Sequence, residues 1–69
     1  MTTAISIFGL GYVGCVSAAC FASDGFRVVG VDVARSKVDQ INAGRSTIVE
    51  EGIAQLVADV VAQKRLSAT

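Results

Sequence analysis

The run Ile5-Ser6-Ile7-Phe8 leads directly into Gly9-Leu10-Gly11-Tyr12-Val13-Gly14, three glycines at spacings of two and three. A short, β-branched apolar run reads as a buried strand, here about residues 4–8. Closely spaced glycines then turn the chain sharply. Tyr12 to Ser23, with Val16, Ala18, Ala19, Phe21 and Ala22, reads as a helix. Asp24-Gly25 ends it, Gly25 suiting the left-handed position beyond a helix terminus. Arg27 to Val33 comes next as a second strand, nearly continuous in apolar residues, as in a parallel strand covered on both faces. Parallel strands need a crossover connection, and the intervening helix is long enough to be one.

Farther along, residues 36–43 read as a short helix with Val38 and Ile41 inward and Gly44 closing it. Arg45 to Val49 is a loop. A third helix, about residues 51–65, carries Ile53, Leu56, Val57, Val60 and Val61 as one stripe. Glu50 and Glu51 at its start, and Lys64 and Arg65 at its end, have the signs the helix dipole favours. The order is strand, helix, strand, helix, helix. Two strands alone leave a sheet with open edges and a bare face. The expected fold is therefore α/β: the N-terminal βαβ part of a Rossmann-like parallel sheet. Residues 1–69 are then one fragment of a dinucleotide-binding domain, incomplete in this chain, whose further strands lie beyond Thr69.

Composition removes several classes of function. Six Lys and Arg balance six Asp and Glu, so the chain lacks the surplus cations of a nucleic-acid binder. At 52% hydrophobic residues it is too apolar for a disordered tail. Without histidine, Cys15 and Cys20 cannot complete an ordinary zinc site and read as reduced thiols. Residues 1–23 carry no charged side chain, but no basic residue precedes them as in a secretory signal. Gly9, Gly11, Gly14, Ser6, Ser17 and Tyr12 also make the stretch too polar for a clean membrane span. The expectation is a cytoplasmic protein with neither nucleic-acid nor membrane partner.

Each glycine of the corner has a separate use in a dinucleotide site. Gly9 permits the turn out of the strand, Gly11 offers no side chain to obstruct a diphosphate, and Gly14 lets the helix approach the sheet. Backbone N–H groups at the helix start, aided by its dipole, then face the phosphates. Tyr12 and Val13 contribute backbone there, with side chains flanking the ligand. Asp32 lies 23 positions after Gly9, near the spacing of about 20 expected of the ribose-binding acid. Its carboxylate accepts from both ribose hydroxyls and repels a 2′-phosphate, favouring NAD over NADP. Arg35 is the one nearby guanidinium able to hold such a phosphate, and Lys37 is within reach of the adenine-ribose edge. The plain structural alternative makes the glycines punctuation, Asp32 a helix cap and Lys37 a solvated surface lysine.

The chain resembles the N-terminal end of the nucleotide-sugar 6-dehydrogenases, the family of UDP-glucose and GDP-mannose dehydrogenases. The resemblance rests on Ile5-Ser-Ile-Phe-Gly-Leu-Gly-Tyr-Val-Gly14, Val29-Gly-Val-Asp32, Lys37-Val-Asp-Gln-Ile-Asn42 and Ser46-Thr-Ile-Val-Glu50. It implies that Tyr12, Val13, Asp32 and Lys37 hold NAD. It also implies oxidation of a sugar C6 alcohol to a uronic acid in two NAD-dependent steps, by a cysteine and a lysine in downstream segments. Neither Cys15 nor Cys20 matches that nucleophile, so no catalytic residue is expected here. Val49, where UDP-glucose enzymes usually carry tyrosine, resembles the GDP-mannose branch, with UDP-glucose the alternative substrate. Thr47 and Glu51 stand where the family loop usually has prolines, which removes two fixed φ angles beside Glu50.

The resemblance thus implies an enzyme that binds its nucleotide sugar through downstream domains and assembles as a homo-oligomer. Residues 1–69 alone are expected to bind cofactor weakly and to turn nothing over. The glycine corner and Asp32 are equally compatible with a non-catalytic NAD-sensing module, or with another oxidoreductase sharing the corner.

Overall fold

In a computed structural model the described residues are 3–69, excepting the side chain of Glu51. Met1, Thr2 and the dipole role expected of the Glu51 side chain fall outside them. The elements are β1 (Ala4–Phe8), α1 (Tyr12–Ser23), β2 (Arg27–Val31), α2 (Arg35–Asn42), α3 (Glu51–Ala62) and β3 (Leu66–Ala68). All strand pairings are parallel, in the order β1-β2-β3, so β2 is central. This is the α/β arrangement expected of the sequence, with one strand more than the sequence reading contains. No helix is long and apolar enough to cross a membrane among the described residues.

The additional strand, Leu66-Ser67-Ala68, has one large apolar residue and no alternation long enough to mark it. It is made by pairing. Val28 N–H donates to the Arg65 carbonyl at 2.8 Å, and Thr69 N–H to the Gly30 carbonyl at 2.9 Å. On its outer edge the Asn42 side chain replaces a neighbouring strand. Its amide donates to the Ala68 carbonyl at 2.9 Å and accepts from the Ala68 N–H at 2.8 Å.

All three helices lie on one face of the sheet. Ile5, Val28 and Leu66 stand in register on that face, with Ile7, Gly30 and Ala68 as the next row. α1 buries only small side chains, Cys15, Ala18, Ala19 and Ala22, which lets it lie close against the sheet and α3. Val57 and Val60 of α3 and Ile41 of α2 complete the core. The opposite face, with Phe8 and Val29, is left bare by the described residues. The apolar run of β2, expected to be covered on both faces, is covered on one by this chain.

Four boundaries, in three elements, differ from the sequence reading. β2 stops at Val31 rather than Val33, because the Asp32 carboxylate takes the Ala34 N–H and bends the chain. α2 begins at Arg35 and ends at Asn42, one residue earlier at each end than expected. α3 stops at Ala62 rather than Arg65, since Lys64 adopts φ +61° and turns Leu66 into the sheet. Lys64 and Arg65 are therefore beyond the helix.

Candidate functional site at the glycine corner

β1 ends where the Gly9 N–H donates to the Val31 carbonyl at 2.7 Å, and Gly9 then takes φ +95°. A β-carbon at Gly14 would stand 1.7 Å from the Gly9 carbonyl oxygen, so α1 can begin there only without one. Gly11 is different. Its φ of −74° suits any residue, and a β-carbon there meets nothing within 4 Å. Neither strain nor packing within the described residues requires glycine at this position; a ligand lying against the backbone would.

The first helical hydrogen bond runs from Cys15 N–H to the Gly11 carbonyl at 2.9 Å, and no side chain caps the helix. The N–H groups of Tyr12, Val13 and Gly14 consequently have no acceptor within the helix. They form a cluster of outward donors at the positive end of a 12-residue helix. The side chains of Tyr12 and Val13 are exposed on either side.

Asp32 lies against this corner. One carboxylate oxygen accepts from Leu10 N–H at 2.7 Å and the other from Ala34 N–H at 2.8 Å. The Ala34 bond is an Asx turn leading into α2, so the capping role in the plain structural reading is present too. It does not exhaust the group. An ionised carboxylate has about four acceptor positions, and two remain for hydroxyl donors. The N–H bonds from Ala34 and Leu10, with a smaller contribution from the Lys37 charge, hold the Asp32 carboxyl below its ordinary range. At neutral pH it is an anion, with room for hydroxyl donors and a charge that would oppose a phosphate.

Lys37 is half-buried in the first turn of α2 and acts electrostatically on Asp32. Arg35, the candidate holder of a 2′-phosphate, instead pairs with Asp39 at 3.2 Å on the exposed side of the helix. A crevice of about 230 Å³, lined by Phe8, Gly9, Val31, Asp32 and Val33, opens beyond the carboxyl ends of β1 and β2. Its walls are mostly apolar and Asp32 lies at its edge, a place where open parallel sheets bind ligands. A larger groove of about 500 Å³ between Gly44 and Ala54 has no wall from the glycine corner.

The loop between α2 and α3 closes over the start of α1. The Thr47 hydroxyl donates to the Leu10 carbonyl at 2.6 Å, and the Tyr12 hydroxyl to the Glu50 carboxylate at 3.1 Å. That carboxylate raises the Tyr12 pKa above its usual value by hydrogen bonding and by charge. Ser46 spans the loop through the Ile48 carbonyl and N–H, and its Oγ lies 3.7 Å from the buried Cys15 sulfur. The structure thus brings Gly9, Gly11, Tyr12, Val13, Gly14 and Asp32 together, with Lys37 behind Asp32. Sequence reasoning missed Leu10 and Thr47 as parts of the site. The only signal was Thr47 itself, a hydroxyl in place of an expected proline.

Comparison with known proteins bears on what such a corner belongs to. The profile of the UDP-glucose/GDP-mannose dehydrogenase family, NAD binding domain, matches residues 3–69. The chain belongs to this family. The part of the family it matches is the NAD-binding domain, as the sequence resemblance implies. GDP-mannose 6-dehydrogenase of Azotobacter vinelandii is 54% identical over 65 residues, which are 94% of this chain and 15% of that protein. Among solved structures, a ternary complex of GDP-mannose dehydrogenase from Pseudomonas aeruginosa superimposes with TM-score 0.91 at 52% identity, covering 94% of this chain and 15% of that one. A UDP-glucose dehydrogenase from Pyrobaculum islandicum gives TM-score 0.92 at 42% identity, covering 100% and 16%. The chain spans about 15% of the length of these relatives. Its geometry fits a dinucleotide: Gly11 is an open cradle, the helix start has unpaired donors, and Asp32 has spare acceptors.

Proposed function

We propose that this chain holds the adenosine diphosphate half of NAD in a nucleotide-sugar 6-dehydrogenase whose substrate is GDP-mannose. The observation that carries the reading is the Asp32 carboxylate, bound to Leu10 N–H at the glycine corner and still able to accept two hydroxyls. In this reading the ribose lies on Asp32, with Lys37 beside it. The diphosphate lies over Gly11 on the N–H groups of Tyr12, Val13 and Gly14. Gly9 and Gly14 shape the turn that brings these donors together.

Bound NAD supplies hydride acceptance, and the protein's part is to position it. Residues 1–69 position the end remote from the reacting carbon. They bind and orient; the sugar and the groups that act on it belong to further segments of the whole protein. The substrate assignment is taken from the Azotobacter and Pseudomonas relatives, with UDP-glucose, named for the Pyrobaculum structure, as the second reading.

Calorimetric titration of NAD and NADP into the full-length protein and an Asp32→Ala variant tests the site. NAD is expected to bind more tightly than NADP. The substitution is expected to weaken NAD by about 10- to 100-fold, the worth of hydrogen bonds to a charged group, and NADP by less. Equal losses for both would show that Asp32 does not read the ribose. Failure to oxidise either GDP-mannose or UDP-glucose would remove the substrate assignment while leaving the cofactor site standing.

A further inference from the structure

We infer that Thr47 is a positioning residue for the diphosphate: its hydroxyl holds the Leu10–Gly11 peptide so that the Gly11 N–H faces the cofactor. This rests on the NAD reading of the glycine corner and adds to it a residue from a different part of the chain.

Leu10 is restrained on three sides. Its side chain is fully buried and fills the space above Gly30, where a β-carbon would come within 2.5 Å of Leu10 Cδ2. Its N–H donates to Asp32 at 2.7 Å, which fixes the peptide entering the residue. Its carbonyl accepts from Thr47 at 2.6 Å, which fixes the peptide leaving it. In a trans peptide the C=O and N–H point in opposite directions. Drawing the Leu10 carbonyl toward Thr47 therefore turns the Gly11 N–H away from the α2–α3 loop.

The restraint on that carbonyl matters because the next residue is Gly11. A β-carbon at Gly11 would meet nothing within 4 Å, and glycine occupies positive φ about as readily as negative. Without a bond on the Leu10 carbonyl, rotation of this peptide has little to oppose it and would turn the N–H inward. The glycine that lets a diphosphate approach thus also makes the donor beside it unreliable, and the Thr47 hydroxyl is the group that holds it. Ser46, bonded to both backbone groups of Ile48, and Glu50, bonded to Tyr12, fix the loop on either side of Thr47.

The test uses the full-length protein with Thr47→Val, which removes the hydroxyl at nearly constant shape, and Thr47→Ser, which restores it. NAD is titrated by calorimetry and adenosine, which has no phosphate, by NMR. Thr47→Val is expected to weaken NAD about five- to tenfold, the worth of one hydrogen bond, with adenosine changed less than about twofold. Thr47→Ser is expected to recover most of the NAD affinity. Unchanged NAD binding by Thr47→Val would overturn the inference, as would equal losses for NAD and adenosine or failure of the serine variant to recover. If the unaltered protein binds no NAD, the cofactor reading fails first and takes this one with it.

Discussion

A methyl group added at Gly14 would collide with the Gly9 carbonyl, whereas one added at Gly11, three residues earlier, would enter open space. Substitution by alanine should therefore separate folding from binding. Gly14→Ala is expected to destabilise the protein by at least about 2 kcal/mol, as overpacking against rigid backbone does. Gly11→Ala is expected to cost no more than about 1 kcal/mol, since alanine is a poorer helix cap than glycine but its methyl group meets nothing there. Its NAD affinity should fall at least about tenfold, because in the proposed site the methyl group would stand in the diphosphate's place. Urea unfolding and NAD titration of the two variants check this. A Gly11→Ala protein that binds NAD normally would leave that glycine without a function. The close approach at Gly14 was legible from spacing alone; the bonds that hold Leu10 were not, since a leucine in a loop gives no sign that both its peptides are held.

All three helices end in the same hydrogen-bond pattern, in which the second residue past the cap reaches back to the carbonyl five before it. The donors are Phe26, Arg45 and Arg65, bonded to Phe21, Gln40 and Val60 at 3.1, 2.8 and 2.9 Å. At the first end the Phe21 and Phe26 rings also meet edge to face, 6.0 Å between centroids. The residue just past each cap must be left-handed. Gly25 and Gly44 occupy that place in α1 and α2, but in α3 it is Lys64 at φ +61°. A left-handed non-glycine residue costs about 1–2 kcal/mol, and glycine returns part of this as unfolded-state entropy. Lys64→Gly is expected to stabilise the protein by about 0.5–1 kcal/mol, read as a higher urea midpoint. No gain would mean that the lysine side chain contributes something that offsets its backbone. The first two helix ends were marked by glycine, and the third was misread by three residues because lysine also suits a helix's last turn.

One sheet face is sealed by three helices while the other leaves Phe8 80% and Val29 37% exposed. Contiguous apolar surface of this kind drives association when nothing else covers it. Produced by itself, the polypeptide of residues 1–69 is expected to self-associate as its concentration rises, in sedimentation velocity. A monodisperse monomer at high concentration would show that the bare face is tolerated by water. At this size a chain also buries only about 60% of the surface it exposes when unfolded, so further covering has a large effect on stability. Bound NAD should likewise raise the melting temperature of the full-length protein, because a ligand that binds only the folded state draws the equilibrium toward it.

Local signals determined a good deal of this molecule. A β-branched run, three spaced glycines, an alanine-rich helix and an acid at a fixed distance each act on their own few residues, so their meaning survives without the rest of the chain. What the tertiary structure decided involves partners far apart in sequence. β3 exists because β2 offers it an edge and Asn42 closes the other side. Thr47 matters because a loop 37 positions away folds onto the Leu10 carbonyl. Neither residue carries a local preference for its role, since a hydroxyl or an amide gains its use only when folding places an unpaired backbone group within its reach.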